Sequence, residues 1–142
     1  MNEESIPTRR KFLKTSTAAG TVAAVGAFPH IAGAQESNNE TIKVGLIGCG
    51  GRGSGAAVQA LSADENTQLY AVADAFETRL EGSLKNLEAK FEKRAAVDKK
   101  RRFVGLDAYQ KLIDSGVDVV LLATPPAYRP MMLRAAIEAG KH

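Results

Sequence analysis

Cysteine occurs once, at Cys49, tryptophan is absent, and histidine occurs only at His30 and His142. A single cysteine excludes an intrachain disulfide, and two histidines so far apart, with no Cys/His cluster, leave no metal-binding pattern. An excess of one charge is also lacking over most of the chain. Four of the 19 basic and two of the 16 acidic side chains fall in residues 1–34, which leaves 15 against 14, a net of +1. So neutral a remainder has no electrostatic reason to bind nucleic acid or another polyanion. Long hydrophobic runs are missing too: residues 15–34 are only mildly apolar and are interrupted by Gly20, Gly26, Pro29 and His30, a poor membrane span. Beyond them there is no internal repeat and no low-complexity stretch.

What is present at the N-terminus reads as an address. Thr8-Arg9-Arg10-Lys11-Phe12-Leu13-Lys14 places two arginines before a bulky apolar pair, as in a twin-arginine export signal. Ala32-Gly33-Ala34 supplies the small residues a signal peptidase requires, with Gln35 as the expected mature start. Residues 1–34 are therefore expected to be a signal peptide engaging the twin-arginine translocase, and the mature chain to reside in the periplasm. A basic N-terminal helix that stays attached is the competing reading. Residues 35–40 form a polar linker with nothing to bury.

The remainder, residues 41–142, alternates strand and helix. Residues 42–47 form a run that is apolar apart from Lys43 and Gly45 and ends in glycines, the pattern of a buried parallel strand. Residues 54–63 suit a short helix with Ala57, Val58 and Leu61 on one side, and residues 69–73 suit a second strand. Over residues 77–94, Leu80, Leu84, Leu87 and Phe91 recur at helical spacing on an otherwise charged segment. The run Lys99-Lys100-Arg101-Arg102 reads as a solvated loop before a minor strand at Phe103-Val104. Asp107 can cap the next helix, which Gly116 ends. Residues 117–123 carry the strongest strand signal, stopped by Pro125-Pro126 because proline has no N–H for the ladder. Residues 130–139 then read as a helix with Pro130 in its first turn and Gly140 after its end. The fold class is α/β, a Rossmann-type doubly wound parallel sheet. The chain is expected to be a fragment that stops before the last strands, leaving an apolar sheet edge exposed and stability marginal.

In such a sheet ligands bind at the carboxyl ends of the strands. Gly48-Cys49-Gly50-Gly51-Arg52-Gly53 sits there, after the first strand and opening a helix. Gly48 permits a tight turn, Gly50 a close approach to a pyrophosphate, and Gly53 close helix–strand packing, while the helix N-terminus offers free N–H groups to phosphates. Cys49 occupies a variable position of that pattern and reads as a small packing residue. Asp74, 21 residues beyond Gly53, ends the second strand, where a carboxylate accepts hydrogen bonds from ribose hydroxyls and repels a 2′-phosphate. That favours NAD over NADP, although Arg79 one turn later softens the preference, and Asp74 also suits an N-cap. Thr124-Pro125-Pro126 would form the far wall, toward the nicotinamide, although structural punctuation explains the prolines equally well.

Taken in order, residues 43–53, Val72-Ala73-Asp74, residues 117–125 and Ala139-Gly140-Lys141-His142 resemble the glucose–fructose oxidoreductase, inositol dehydrogenase and rhizopine catabolism (Gfo/Idh/MocA) family. The resemblance implies that the glycine loop holds the pyrophosphate of NAD(P), Asp74 the adenosine ribose, and Thr124-Pro125 the nicotinamide side. It implies an oxidoreductase that moves hydride to or from a sugar or polyol, sometimes as a homo-oligomer. Two alternatives stand beside it: an exported glycoside hydrolase that uses NAD for transient oxidation, and a non-catalytic dinucleotide-binding protein. This sequence departs from the family at Arg129, where many members carry histidine. The family's Glu-Lys-Pro lysine and the catalytic residues of its C-terminal α/β domain are expected beyond His142, so no catalytic residue is assigned here.

Overall fold

The computed structural model describes residues 40–142; the segment expected to be a signal peptide, residues 1–34, and all but the last residue of the expected linker lie outside the described residues. Four parallel strands, β1 (Ile42–Ile47), β2 (Thr67–Asp74), β3 (Arg102–Val104) and β4 (Val119–Leu122), form one sheet in the order β3-β2-β1-β4. Helices α1 (Gly51–Ala63), α2 (Glu77–Phe91), α3 (Ala108–Ile113) and α4 (Arg129–Glu138) connect or follow them.

The sheet is covered on both faces because its strands alternate. Leu46 on β1 packs with Ala57 and Leu61 of α1 and Leu80, Leu84 and Leu87 of α2. Its neighbour Ile47 points the other way, onto Leu112 and Ile113 of α3 and Met132 and Ala136 of α4. Helices on both faces explain why the inner segments, residues 44–47 of β1 and 69–73 of β2, carry no charged residue and show no alternation of apolar with polar residues. One irregularity matters. Val44 pairs with Leu69 but Gly45 with Ala71, so β2 bulges at Tyr70 and places Leu69 and Val72, three apart, on the same face.

Several boundaries differ from those the sequence predicts. α1 begins at Gly51, inside the glycine motif, three residues before the predicted start. α2 stops at Phe91, where Glu92 adopts φ 49°, and residues 92–95 continue as a 3-10 turn. β4 runs only from Val119 to Leu122: before it, Asp118 is held to β1, accepting from the Lys43 N–H through Oδ2 at 2.8 Å. β4 is half-buried rather than enclosed, and along its outer side Val120 N–H donates to the His142 carbonyl while His142 N–H donates to the Asp118 carbonyl just before the strand. Beside it α4 exposes Met131, Leu133 and Ile137.

Two readings are corrected. Arg102 is not part of a solvated basic loop: it opens β3, and its guanidinium donates to the Val97 carbonyl at 2.7 Å and to Glu81 at 3.1 Å. A half-buried guanidinium needs such acceptors, whereas the exposed Lys99 and Lys100 do not. Asp107 stands at the start of α3 but does not cap it. Its backbone is already helical, which turns the carboxylate away from the first-turn N–H groups and leaves it 3.5 Å from Lys111 Nζ.

Candidate cofactor site

The connections from β1 and β4 leave on opposite faces of the sheet, through α1 and α4 respectively. That divergence opens a crevice at the carboxyl ends of these adjacent strands, the position where open α/β sheets hold ligands. A cleft of about 510 Å³ lies there, within the range of small-molecule sites. It is lined by Gly48, Gly50 and Arg52 on one side, Asp74 on another, and Thr124, Pro125 and Pro126 opposite.

The glycine turn is built by packing. Gly48 follows β1 with φ 96°, and its N–H donates to the Ala73 carbonyl at 2.8 Å. A Cβ there would lie 2.9 Å from the Ala123 carbonyl, so β1 and β4 approach each other at this residue. A Cβ on Gly53 would strike the Gly48 carbonyl oxygen. Gly50 is different: a Cβ there meets nothing within 4 Å, so no protein atom requires glycine. The open space in front of Gly50 is part of the cleft. α1 has no side-chain cap and no acidic residue in its first turn. The first-turn amides therefore lack intrahelical acceptors and fit an anionic group such as a pyrophosphate.

Asp74 is 9% exposed and joins two loops. Its Oδ2 accepts the Cys49 N–H at 2.6 Å, and Oδ1 accepts the Phe76 N–H at 2.9 Å. The second bond is a local turn within the loop before α2, whose N-cap residue is Phe76. Asp74 is thus not the cap of that helix; it fastens the glycine loop to the end of β2.

Cys49, Gly51 and Gly53 do not line the cleft, although they belong to the glycine motif. Gly53 is buried under the turn and Gly51 is exposed at the helix start. The Cys49 side chain turns into the core against Ala57 and Leu80, with Sγ 3.7 Å from the Ala73 carbonyl. Burial, helped by the Asp74 carboxylate, pushes its thiol up from the usual 9.0 to about 12. The thiol is therefore neutral at pH 8, with a thiolate fraction about a thousandfold below that of an unperturbed cysteine. Iodoacetamide should leave folded Cys49 unmodified at pH 8 over hours and label it within minutes in denaturant; rapid labelling of the folded chain would show the loop to be open. The neutral thiol therefore contributes to stability below about pH 9, and that contribution is lost as pH rises toward about 12.

Other lining residues carried no sequence signal strong enough to select them. Phe76 and Leu106 reach the cleft from the loops after β2 and β3, both largely exposed, and Gly105 between β3 and Leu106 has φ 125°. A glycine directly after a short strand was the available hint. Arg129 also lines the cleft, and its Nη2 donates to the Thr124 carbonyl at 2.7 Å. Thr124 Oγ1 lies 3.4 Å from Met132 Sδ, so the far wall is held by α4 rather than by the prolines alone.

Strand order, switch point and glycine turn together define a dinucleotide-binding Rossmann domain. Residues 42–142 match the Gfo/Idh/MocA oxidoreductase family, NAD-binding Rossmann fold, and the chain belongs to that family. It is 31% identical over 141 residues to a glycosyl hydrolase family 109 protein of Solibacter usitatus, covering 94% of this chain and 31% of that protein. Apo scyllo-inositol dehydrogenase from Lactobacillus casei shares the fold, with a TM-score of 0.57 at 23% identity over 73% of this chain and 27% of that one. A dehydrogenase from Bordetella pertussis, solved with NADH and UDP-GlcNAcA, gives a TM-score of 0.50 at 25% identity over 72% of this chain and 26% of that one. The chain spans 21% to 32% of the length of the curated relatives it matches.

Proposed function

We propose that this chain is the NAD-binding half of an exported oxidoreductase that oxidises or reduces a sugar or polyol by hydride transfer. The observation that carries the reading is the cleft at the β1–β4 switch point, with uncapped amides on one wall and a buried carboxylate at the end of β2. When bound, the nicotinamide ring would supply the hydride acceptor or donor. The chain's own residues would bind and orient: the amides around Gly50 the pyrophosphate, Asp74 the adenosine ribose, and Thr124 with Pro125 the nicotinamide side. The relative bound to NADH and UDP-GlcNAcA supports a sugar-type substrate. Arg9 and Arg10 support export through the twin-arginine translocase.

A second reading, an NAD-dependent glycoside hydrolase, draws support from the similarity to glycosyl hydrolase family 109 proteins. One experiment separates the two. The full-length protein carrying this chain is incubated with NAD and a panel of sugars, polyols and aryl glycosides, following both NADH and released aglycone. Net NADH supports the oxidoreductase, aglycone without net NADH the hydrolase, and neither product together with no bound NAD overturns both. Replacing Arg9 and Arg10 by lysine should retain the precursor in the cytoplasm on fractionation; unaltered export would remove the twin-arginine assignment.

A further inference from the structure

We infer that Arg129, at the start of α4, selects the substrate, and that the substrate it selects is a sugar or polyol carrying an anionic group, a carboxylate or a phosphate ester. The inference deepens the oxidoreductase reading and rests on it.

The wall that follows β4 is where a substrate has to be read. The proposed function puts the nicotinamide side at Thr124 and Pro125, and a sugar exchanging hydride there must come within contact distance of the same wall. Among the lining residues that follow β4, Arg129 alone is charged; Pro125, Pro126 and Met132 beside it are apolar. Arg129 is exposed and, among the described residues, enters no ion pair. Among the described residues Asp74 is the one carboxylate lining the cleft, and it ends β2, with β1 lying between β2 and β4. Two strand spacings, roughly 10 Å, separate those strand ends. The Asp74 oxygens moreover already accept the Cys49 and Phe76 N–H groups. The guanidinium therefore keeps its charge unneutralised within the cleft.

Its position is also fixed. Arg129 Nη2 donates to the Thr124 carbonyl at 2.7 Å, which ties the guanidinium to the wall it would serve. A carbonyl occupies one N–H and leaves the charge intact, so the remaining donors of the fork are free for a second acceptor. That planar fork matches the paired oxygens of a carboxylate or a phosphate. A neutral hydroxyl gains a weaker hydrogen bond from the same group, so the arrangement favours an anionic substrate over its neutral parent. The dinucleotide phosphates do not require Arg129, because Arg52 already lines the wall proposed for them.

The test uses the full-length protein carrying this chain, loaded with NAD. Calorimetric titration and steady-state kinetics are run with sugar acids, polyol acids and phosphate esters, each beside its neutral parent, such as glucuronate and glucose 6-phosphate beside glucose. At least one anionic member should bind about tenfold or more tighter than its parent, and whether carboxylates or phosphates lead identifies the group. Arg129→Ala should weaken that member at least about tenfold more than the parent, read as a rise in KM rather than a fall in kcat. Arg129→Lys, which keeps the charge and loses the fork, should fall between, and thermal melts establish that both variants are folded. Wild type that binds NAD but no anionic member about tenfold tighter than its parent overturns the inference. So does an Arg129→Ala loss shared equally by anionic and neutral members, the outcome of a merely structural tie to Thr124. A loss that falls on NAD affinity instead assigns Arg129 to the cofactor and overturns it as well. Absence of both bound NAD and turnover is a different result, because it removes the oxidoreductase reading beneath the inference.

Discussion

Gly53→Ala is expected to destabilise the domain by about 2–3 kcal/mol and to weaken NAD binding with it. The added Cβ would overlap the Gly48 carbonyl oxygen, which belongs to the backbone of the glycine turn and has no rotamer to change. Relief requires α1 to move away from β1, and with it Gly50 and Arg52, which line the cleft. Gly55, two residues along the same helix, is the internal control, since a Cβ there meets nothing within 4 Å. Gly55→Ala should stabilise by up to about 1 kcal/mol through helix propensity alone. Urea unfolding of the two variants reads the difference directly. Equal midpoints would mean that the close approach at Gly53 does not hold in solution.

Asp74→Asn should cost about 2–4 kcal/mol, an unusually large penalty for a change of one atom. Both carboxylate oxygens accept backbone N–H groups, from the glycine loop and from Phe76. Asparagine has one acceptor oxygen, so one of the two amides must face an NH2 group. If the amide left unpaired is that of Cys49, it is buried and water cannot replace the bond. A melting temperature lowered by about 10 °C or more is the expected readout for a domain of this size. NAD affinity should fall at least tenfold in the same variant, because the glycine loop that lines the cleft loses its tie to β2. A variant with wild-type melting behaviour would show that Asp74 is not the fastening seen here.

These two residues differ in how far they could be read from the chain. The need for glycine at Gly53 followed from its place in a glycine pattern between a strand and a helix. Its place at the end of a strand marks Asp74 for a ligand or a helix cap, but its bond to Cys49 spans 25 residues and leaves no trace in local pattern. The Cys49 side chain packs in the core, and it is the backbone N–H, not the side chain, that ties the glycine loop to Asp74.

Local periodicity and turn chemistry were enough for the elements. The run Ile42–Ile47 is apolar apart from Lys43 and Gly45 because helices cover both faces of β1, and the Leu80, Leu84 and Leu87 stripe is buried because α2 turns one side to the sheet. Gly140, with φ 66°, follows α4 where a left-handed residue ends a helix. Such signals act within a few residues, so the order of strands and helices and the class of fold were decided by sequence alone. Tertiary structure decided the rest. The bulge at Tyr70 comes from β2 matching its register to β1, and no alternation within β2 announces it. Arg102 left its basic run because Glu81, 21 residues away, and the Val97 carbonyl were placed beside it by packing. The cleft itself draws Gly50, Phe76, Leu106 and Arg129 from four separate loops and helix starts. Their meeting depends on how the strands fan at their carboxyl ends, a property of the assembled sheet that no single segment of the chain contains.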